Sequence, residues 1–381
     1  MARLRKIVIA IAVITGAALA GYVVWIYFIQ SSQNGIEELA ETGLLNEKLI
    51  APISDSAVTS TAEINRLKKL SDETIFDYWF APDGAIIAVT IEGKIRKLSA
   101  SGRIEKLSEQ TIRDLAKIRP SPDGLKIIAS FGYPRRETFS IFNIADKSWR
   151  LLPAETITAA WRPDTTAVGV ASSAETALLL SGQNGQTRLV IYDTINKKIR
   201  EIIKLNLQDA DIEWLAKDEI FINERSASDL LSSLWAVSVT RETIKPIIKE
   251  AAGLSIKWLD DGKNALRFSD NQLILMDKNG AIKSTFSFIT LPEKCAVDGA
   301  AFYCGVSDDF GSVKLPDDYY KNKNLAPDSI YRAAHTKENA PTIFYNSGSE
   351  DIPIDVWRPA IKENRLIFIN RLDGKIYSLG L

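Results

Sequence analysis

From residue 62 to residue 381, short runs of β-prone residues alternate with turn-forming clusters. The clearest unit spans residues 77–90. An aromatic-rich run, Asp77-Tyr78-Trp79-Phe80, enters the turn Ala81-Pro82-Asp83-Gly84, and the aliphatic run Ala85-Ile86-Ile87-Ala88-Val89-Thr90 leaves it. Pro82 presets φ for the first corner, Asp83 suits the second, and Gly84 is free to take φ > 0. Two such runs around a tight turn predict a β-hairpin.

Hairpins of this kind recur with seven centres, Trp79, Arg119, Trp161, Trp214, Trp258, Val297 and Trp357, at intervals of 39 to 60 residues. Periods near 40–50 built from short strands predict propeller blades of four strands each. Third-and-fourth-strand hairpins follow in most units, turning through residues 99–102, 145–147, 194–197, 240–242 and 278–280. The last unit has only three runs before Leu381, whereas residues 62–70 stand unassigned ahead of the first. Pairing that segment with the last blade would close the ring and remove an open sheet edge. The expected fold is therefore all-β, a seven-bladed propeller over residues 62–381. Six and eight blades stay open as alternatives, because the fourth and sixth units are weakly marked.

The N-terminus breaks this pattern. Residues 7–29 carry no charge, and 23 residues of helix span roughly 34 Å, enough for the ~30 Å hydrocarbon core. Tyr22, Trp25 and Tyr27 lie towards the far end, where aromatic rings favour the headgroup zone. A cleaved leader with Ala18-Leu19-Ala20 as its site is the alternative, but the apolar run continues past it to Ile29. The expectation is one transmembrane α-helix at 7–29. Arg3, Arg5 and Lys6 in the tail 1–6 stay cytoplasmic by the positive-inside bias, so the propeller lies on the extracytoplasmic side of the cell membrane, a single-pass type II arrangement. Residues 30–61 form a polar spacer.

Composition narrows the chemistry. The formal net charge is −1, and the three N-terminal cations leave −4 for the remainder. A weakly acidic body argues against nucleic acid as the main partner. A single histidine and two cysteines exclude zinc spacing and make a Ser-His-Asp triad improbable. His335 reads as an exposed loop residue. Asp277-Lys278-Asn279-Gly280 resembles the start of a calcium loop but lacks its further acidic ligands, and reads as a hairpin turn. Neither metal nor cofactor is expected. The tryptophans recur at one position of the repeat, so they read as packing between blades.

The motifs Pro82-Asp83-Gly84 and Pro122-Asp123-Gly124, with Trp79 ahead of the first, resemble the repeats of TolB-type WD40-like (PD40) β-propellers. Trp161-Arg162-Pro163-Asp164 and Asp260-Asp261-Gly262 keep parts of the same pattern. The resemblance covers residues 62–381 and implies the propeller fold.

Two further features bear on function. If the 295–304 hairpin turns on Gly299-Ala300 as a two-residue loop, Cys295 and Cys304 sit directly opposite as a non-hydrogen-bonded pair, close enough for a disulfide. A longer turn would offset them. The loops between second and third strands share a face with the connections between blades. They are expected short in units one and five, and longer at 132–137, 173–186, 224–231 and above all 307–328. Loops this long in a compact array are usually functional or disordered. The last carries Asp308, Asp309, Asp317, Asp318, Tyr319 and Tyr320, and opposing charges come from Arg135, Arg136 and Arg225. This face is the expected binding surface for an envelope protein or polymer, on a non-catalytic scaffold. The insert 307–328 is expected to be dispensable for folding. The alternative is a glycan hydrolase or lyase using aspartates of the same face as acid and base.

Overall fold

In the computed structural model the described residues are 67–99, 103–133, 136–163, 174–307, 313–323, 325–334, 340–347 and 352–381. They form seven four-stranded antiparallel sheets. Six are built in chain order; blade 1, for example, runs Ile75–Phe80, Ile86–Thr90, Ile95–Leu98 and Ile104–Ser108. All seven expected centres fall on the first strand of a blade. First strands of neighbouring blades meet at the middle of the ring, where Arg119 of blade 2 donates to Ala159 O of blade 3 at 3.0 Å.

The seventh sheet joins both ends of the array. Val356–Lys362, Arg365–Asn370 and Lys375–Gly380 are completed by Lys68–Lys69 as the outermost strand. Lys68 pairs with Ser378 and Lys69 with Tyr377, and Leu70 N donates to Ile376 O at 2.8 Å. This closes the ring as the unassigned segment ahead of the first unit predicts, and it fixes the blade count at seven. Residues 1–66, with the expected transmembrane segment 7–29 and spacer 30–61, lie outside the described residues. Among the described residues no helix is long and apolar enough to cross a membrane.

Second strands read as unbroken apolar runs because blades cover both their faces. Ile86–Thr90 is buried at every position. Ile87 and Val89 pack with Ile118, Ile127 and Phe142 of blade 2, while Ile86 and Ala88 pack with Ile367, Ile369 and Ile376 of blade 7. The tryptophans serve this packing: Trp79 Nε1 donates to Gly124 O at 3.0 Å, and Trp161 Nε1 to Arg119 O at 2.8 Å. The Pro-Asp-Gly turns form as expected. Gly84 and Gly124 have φ of 80° and 68°, and a side chain at Gly124 would meet Phe80 O at 2.5 Å.

Blade 3 departs from the expected loop pattern. Its second strand is Glu175–Ser181, so the loop to the third strand covers only 182–186, not 173–186. The apolar run Ala177-Leu178-Leu179-Leu180 is fully buried between neighbouring blades. Its burial wins over the small, polar residues around it.

Cys295 and Cys304 are directly opposite, with Asp298 facing Ala301 across the two-residue turn Gly299-Ala300. They form a disulfide with an S–S distance of 2.10 Å. Asp277-Lys278-Asn279-Gly280 is a hairpin turn in which Asp277 Oδ1 accepts from Asn279 N at 2.8 Å and Ala281 N at 3.0 Å. His335 lies outside the described residues.

Candidate binding pocket at the channel mouth

Side chains in the first strand of a blade alternate between the channel and the neighbouring blades. In blade 2, Leu115–Pro120 places Lys117 and Arg119 two residues apart, on one face. In blade 4, Ala210–Ala216 does the same with Asp211 and Glu213. The opposite charges meet across blade 3. Lys117 and Arg119 both bond Asp211, Thr158 Oγ1 donates to Asp211 Oδ1 at 2.6 Å, and Arg119 reaches Glu213 at 3.2 Å. Burial opposes ionisation of Asp211, but the Arg119 and Lys117 charges overcome it and hold the carboxyl well below its usual range. One carboxylate thus ties three blades together.

Above this cluster opens a pocket of about 920 Å3. Its wall takes Lys117, Tyr133 and Glu137 from blade 2 and Thr158 from blade 3. Asp209, Asp211 and Arg225 come from blade 4, and Ser255 from the start of blade 5. Glu293 leads into blade 6, and Pro316, Asp317, Tyr320 and Lys321 come from the long insert of that blade. This is the face of interblade connections and second-to-third-strand loops singled out in the sequence.

The insert is a strap across the mouth, not a free loop. Its residues 313–323 hold the short helix Asp317–Tyr320, and Leu315 and Tyr319 are buried with Phe268 and Leu291. Gly253 of the connection into blade 5 lets the strap come close: a side chain there would meet Leu315 O at 3.3 Å. At its blade 4 end, Asp317 accepts from Ser228 N at 3.2 Å and Ser228 Oγ at 3.1 Å. Beneath it lies a buried ion network. Lys294 Nζ donates to Asp328 Oδ1 at 2.7 Å and Asp355 Oδ1 at 3.0 Å, and Arg371 pairs with Asp355 Oδ2 at 3.2 Å.

The expected binding residues divide accordingly. Arg225, Asp317 and Tyr320 line the pocket, and Arg225 also pairs with Asp209 at 3.1 Å. Asp318 accepts from Lys314 N at 3.0 Å and shapes the strap. Tyr319 is buried and holds the strap down. Arg136 is exposed outside the pocket wall. Arg135, Asp308 and Asp309 lie outside the described residues. Sequence reasoning missed the Lys117–Asp211 floor and Glu293. The available signal was the pair of alternating charges inside strands otherwise expected to be apolar. Among the described residues no group of three or more His, Cys, Asp or Glu stands close enough to hold a metal ion.

No family model matches the chain, and no curated protein matches it. Solved structures do. An oligogalacturonate lyase in complex with manganese superposes with a TM-score of 0.57 at 13% identity, over 83% of this chain and 93% of that one. Virginiamycin B lyase from Staphylococcus aureus gives 0.51 at 15% identity, over 83% and 99%. The C-terminal WD40 domain of Sif2 gives 0.51 at 11% identity, over 84% and 99%. At these identities the shared property is the fold. The chain is a seven-bladed WD40-like β-propeller.

Proposed function

We propose that this chain is a membrane-tethered, extracytoplasmic scaffold of the TolB-type PD40 group, and that it binds an envelope protein or polymer through the mouth pocket. The observation that carries this reading is the pocket itself. It draws its wall from five consecutive blades, 2 to 6, over a floor locked by the Asp211 ion cluster. A rigid concave site with a few convergent polar groups is the usual form of a binding site. The tether rests on the uncharged run 7–29 and the basic residues before it. The Cys295–Cys304 bond supports an oxidising compartment.

Catalysis on this face would need carboxylates free to exchange a proton. Asp317 and Asp318 are each held by fixed donors of Ser228 and the strap, and Asp211 is kept ionised by its cations. Two lyases stand among the similar folds, but the described aspartates expected to serve as acid and base are committed to structural contacts, which supports the binding reading.

The test pairs topology with partner dependence. A cytoplasmic reporter fused at Leu381 should be silent in cells. Crosslinking in intact cells followed by purification should recover an envelope partner with the wild-type chain and lose it with Arg225→Glu/Tyr320→Ala. Reporter activity in the cytoplasm overturns the location, and an unchanged partner set overturns the site.

A further inference from the structure

Charge around the pocket wall is unbalanced. Lys117, Arg225 and Lys321 face Glu137, Asp209, Asp211, Glu293 and Asp317. Each cation is already matched: Lys117 to Asp211, Arg225 to Asp209 at 3.1 Å, and Lys321 to Asp317 at 3.8 Å. Glu137 and Glu293 are left over. Among the described residues neither has a Lys or Arg within ion-pair distance. Lys257, the cation behind Glu293, instead donates to Cys295 O at 2.7 Å. Glu293 Oε1 accepts from Ser255 Oγ at 2.9 Å, while its Oε2 accepts no hydrogen bond within normal distance among the described residues. Tyr320, whose hydroxyl is 3.3 Å from Ser255 Oγ, stands beside it.

The two unmatched carboxylates lie far apart on the ring. Glu137 belongs to blade 2 and Glu293 to the entry of blade 6, nearly opposite positions among seven blades. Aromatic rings accompany them: Tyr133 is 54% exposed and Tyr320 46%. Carboxylates beside open aromatic faces attract ammonium and guanidinium groups.

We propose that the mouth pocket binds a basic, extended polypeptide segment lying across the ring, with Lys or Arg side chains paired to Glu137 and Glu293. This rests on the binding reading above and gives it a ligand class. A single small cation meets only one of the two carboxylates. A polyanion such as an oligouronate meets cations that are already neutralised and two carboxylates that repel it.

The experiment is calorimetric titration of the purified full chain in detergent. The probes are a decapeptide of alternating Lys and Ser, its Glu-Ser counterpart and a decameric oligogalacturonate. The Lys-Ser peptide should bind one to one. Glu137→Gln/Glu293→Gln should weaken it at least tenfold, and Glu137→Gln alone, on an exposed loop, at least threefold. Glu105→Gln, on the outer strand of blade 1, should change nothing. Equal binding by wild type and both pocket variants overturns the inference. So does preference for either anionic probe, and such binding lost in Arg225→Ala would leave the pocket reading standing. Failure of every probe, with partner capture still abolished by Arg225→Glu/Tyr320→Ala, also overturns the basic-segment inference alone.

Discussion

The guanidinium of Arg371 lies 3.7 Å from the centre of the Tyr319 ring. Lys294 approaches the same ring at 4.8 Å, Arg371 Nη2 donates to Tyr319 O at 2.8 Å, and the tyrosine hydroxyl donates to Val356 O at 3.3 Å. A side chain from blade 6's insert is thereby fixed to blade 7.

That contact argues against the expectation that the insert is dispensable. Tyr319→Ala removes a buried ring and two cation–π contacts, and should cost about 3–5 kcal/mol in urea unfolding. Tyr319→Phe keeps the ring and should cost under about 1.5 kcal/mol. A loss below about 1 kcal/mol for the alanine variant would mean that the strap is held elsewhere.

A pH dependence follows from the network below. Burial lifts the Asp328 carboxyl to about 7 against the pull of Lys294, and the like charge of Asp355 adds to the rise. The ordinary value is 3.8, so between about pH 4 and 7 the folded protein holds this proton more tightly than the unfolded chain does. Unfolding free energy therefore falls as pH rises through that window, by at most ~1.4 kcal/mol per unit for one group. Above it this contribution is constant. Asp328→Asn has no such proton to release. Between pH 5 and 7 the wild type should lose stability relative to this variant in denaturant titrations. Parallel curves would remove Asp328 as the titrating group.

Ring closure gives a third outcome. A chain beginning at Ser71 lacks Lys68–Lys69 and the packing of Leu67 and Leu70 on the last blades. Two or three ladder bonds at ~1 kcal/mol net each, plus partly buried leucines, amount to about 2–4 kcal/mol. Such a chain should melt several degrees below one beginning at Ser54. Melting within a degree would show that the edge strand contributes nothing.

The repeat was legible because its marks are local. Pro-Asp-Gly turns and apolar second strands are written within a dozen residues, and the disulfide pair followed from one two-residue turn. Arg119 was found as a repeat centre without its tryptophan because the flanking turn, Pro122-Asp123-Gly124, remained. The site was less legible, since its contacts join distant residues. Asp211 meets Lys117 across 94 positions, and Arg371 meets Tyr319 across 52. Loop length pointed to the face that carries the pocket and to Arg225, Asp317 and Tyr320 in its wall. It could not separate Tyr320, which lines the pocket, from Tyr319, which turns inward one residue earlier. The blade 3 loop was misplaced because the small, polar residues around Ala177-Leu178-Leu179-Leu180 hid its second strand.

Closure by two residues also has a mechanical side. A pull on the chain ahead of Leu67 acts first on Lys68–Lys69, whose pairing with Ser378 and Tyr377 is the shortest ladder in the ring. By its length that strand is the expected first point of release, with Leu67 and Leu70 packed on either side of it. Load from that side would reach the edge of the seventh blade, whereas the pocket wall belongs to blades 2 to 6.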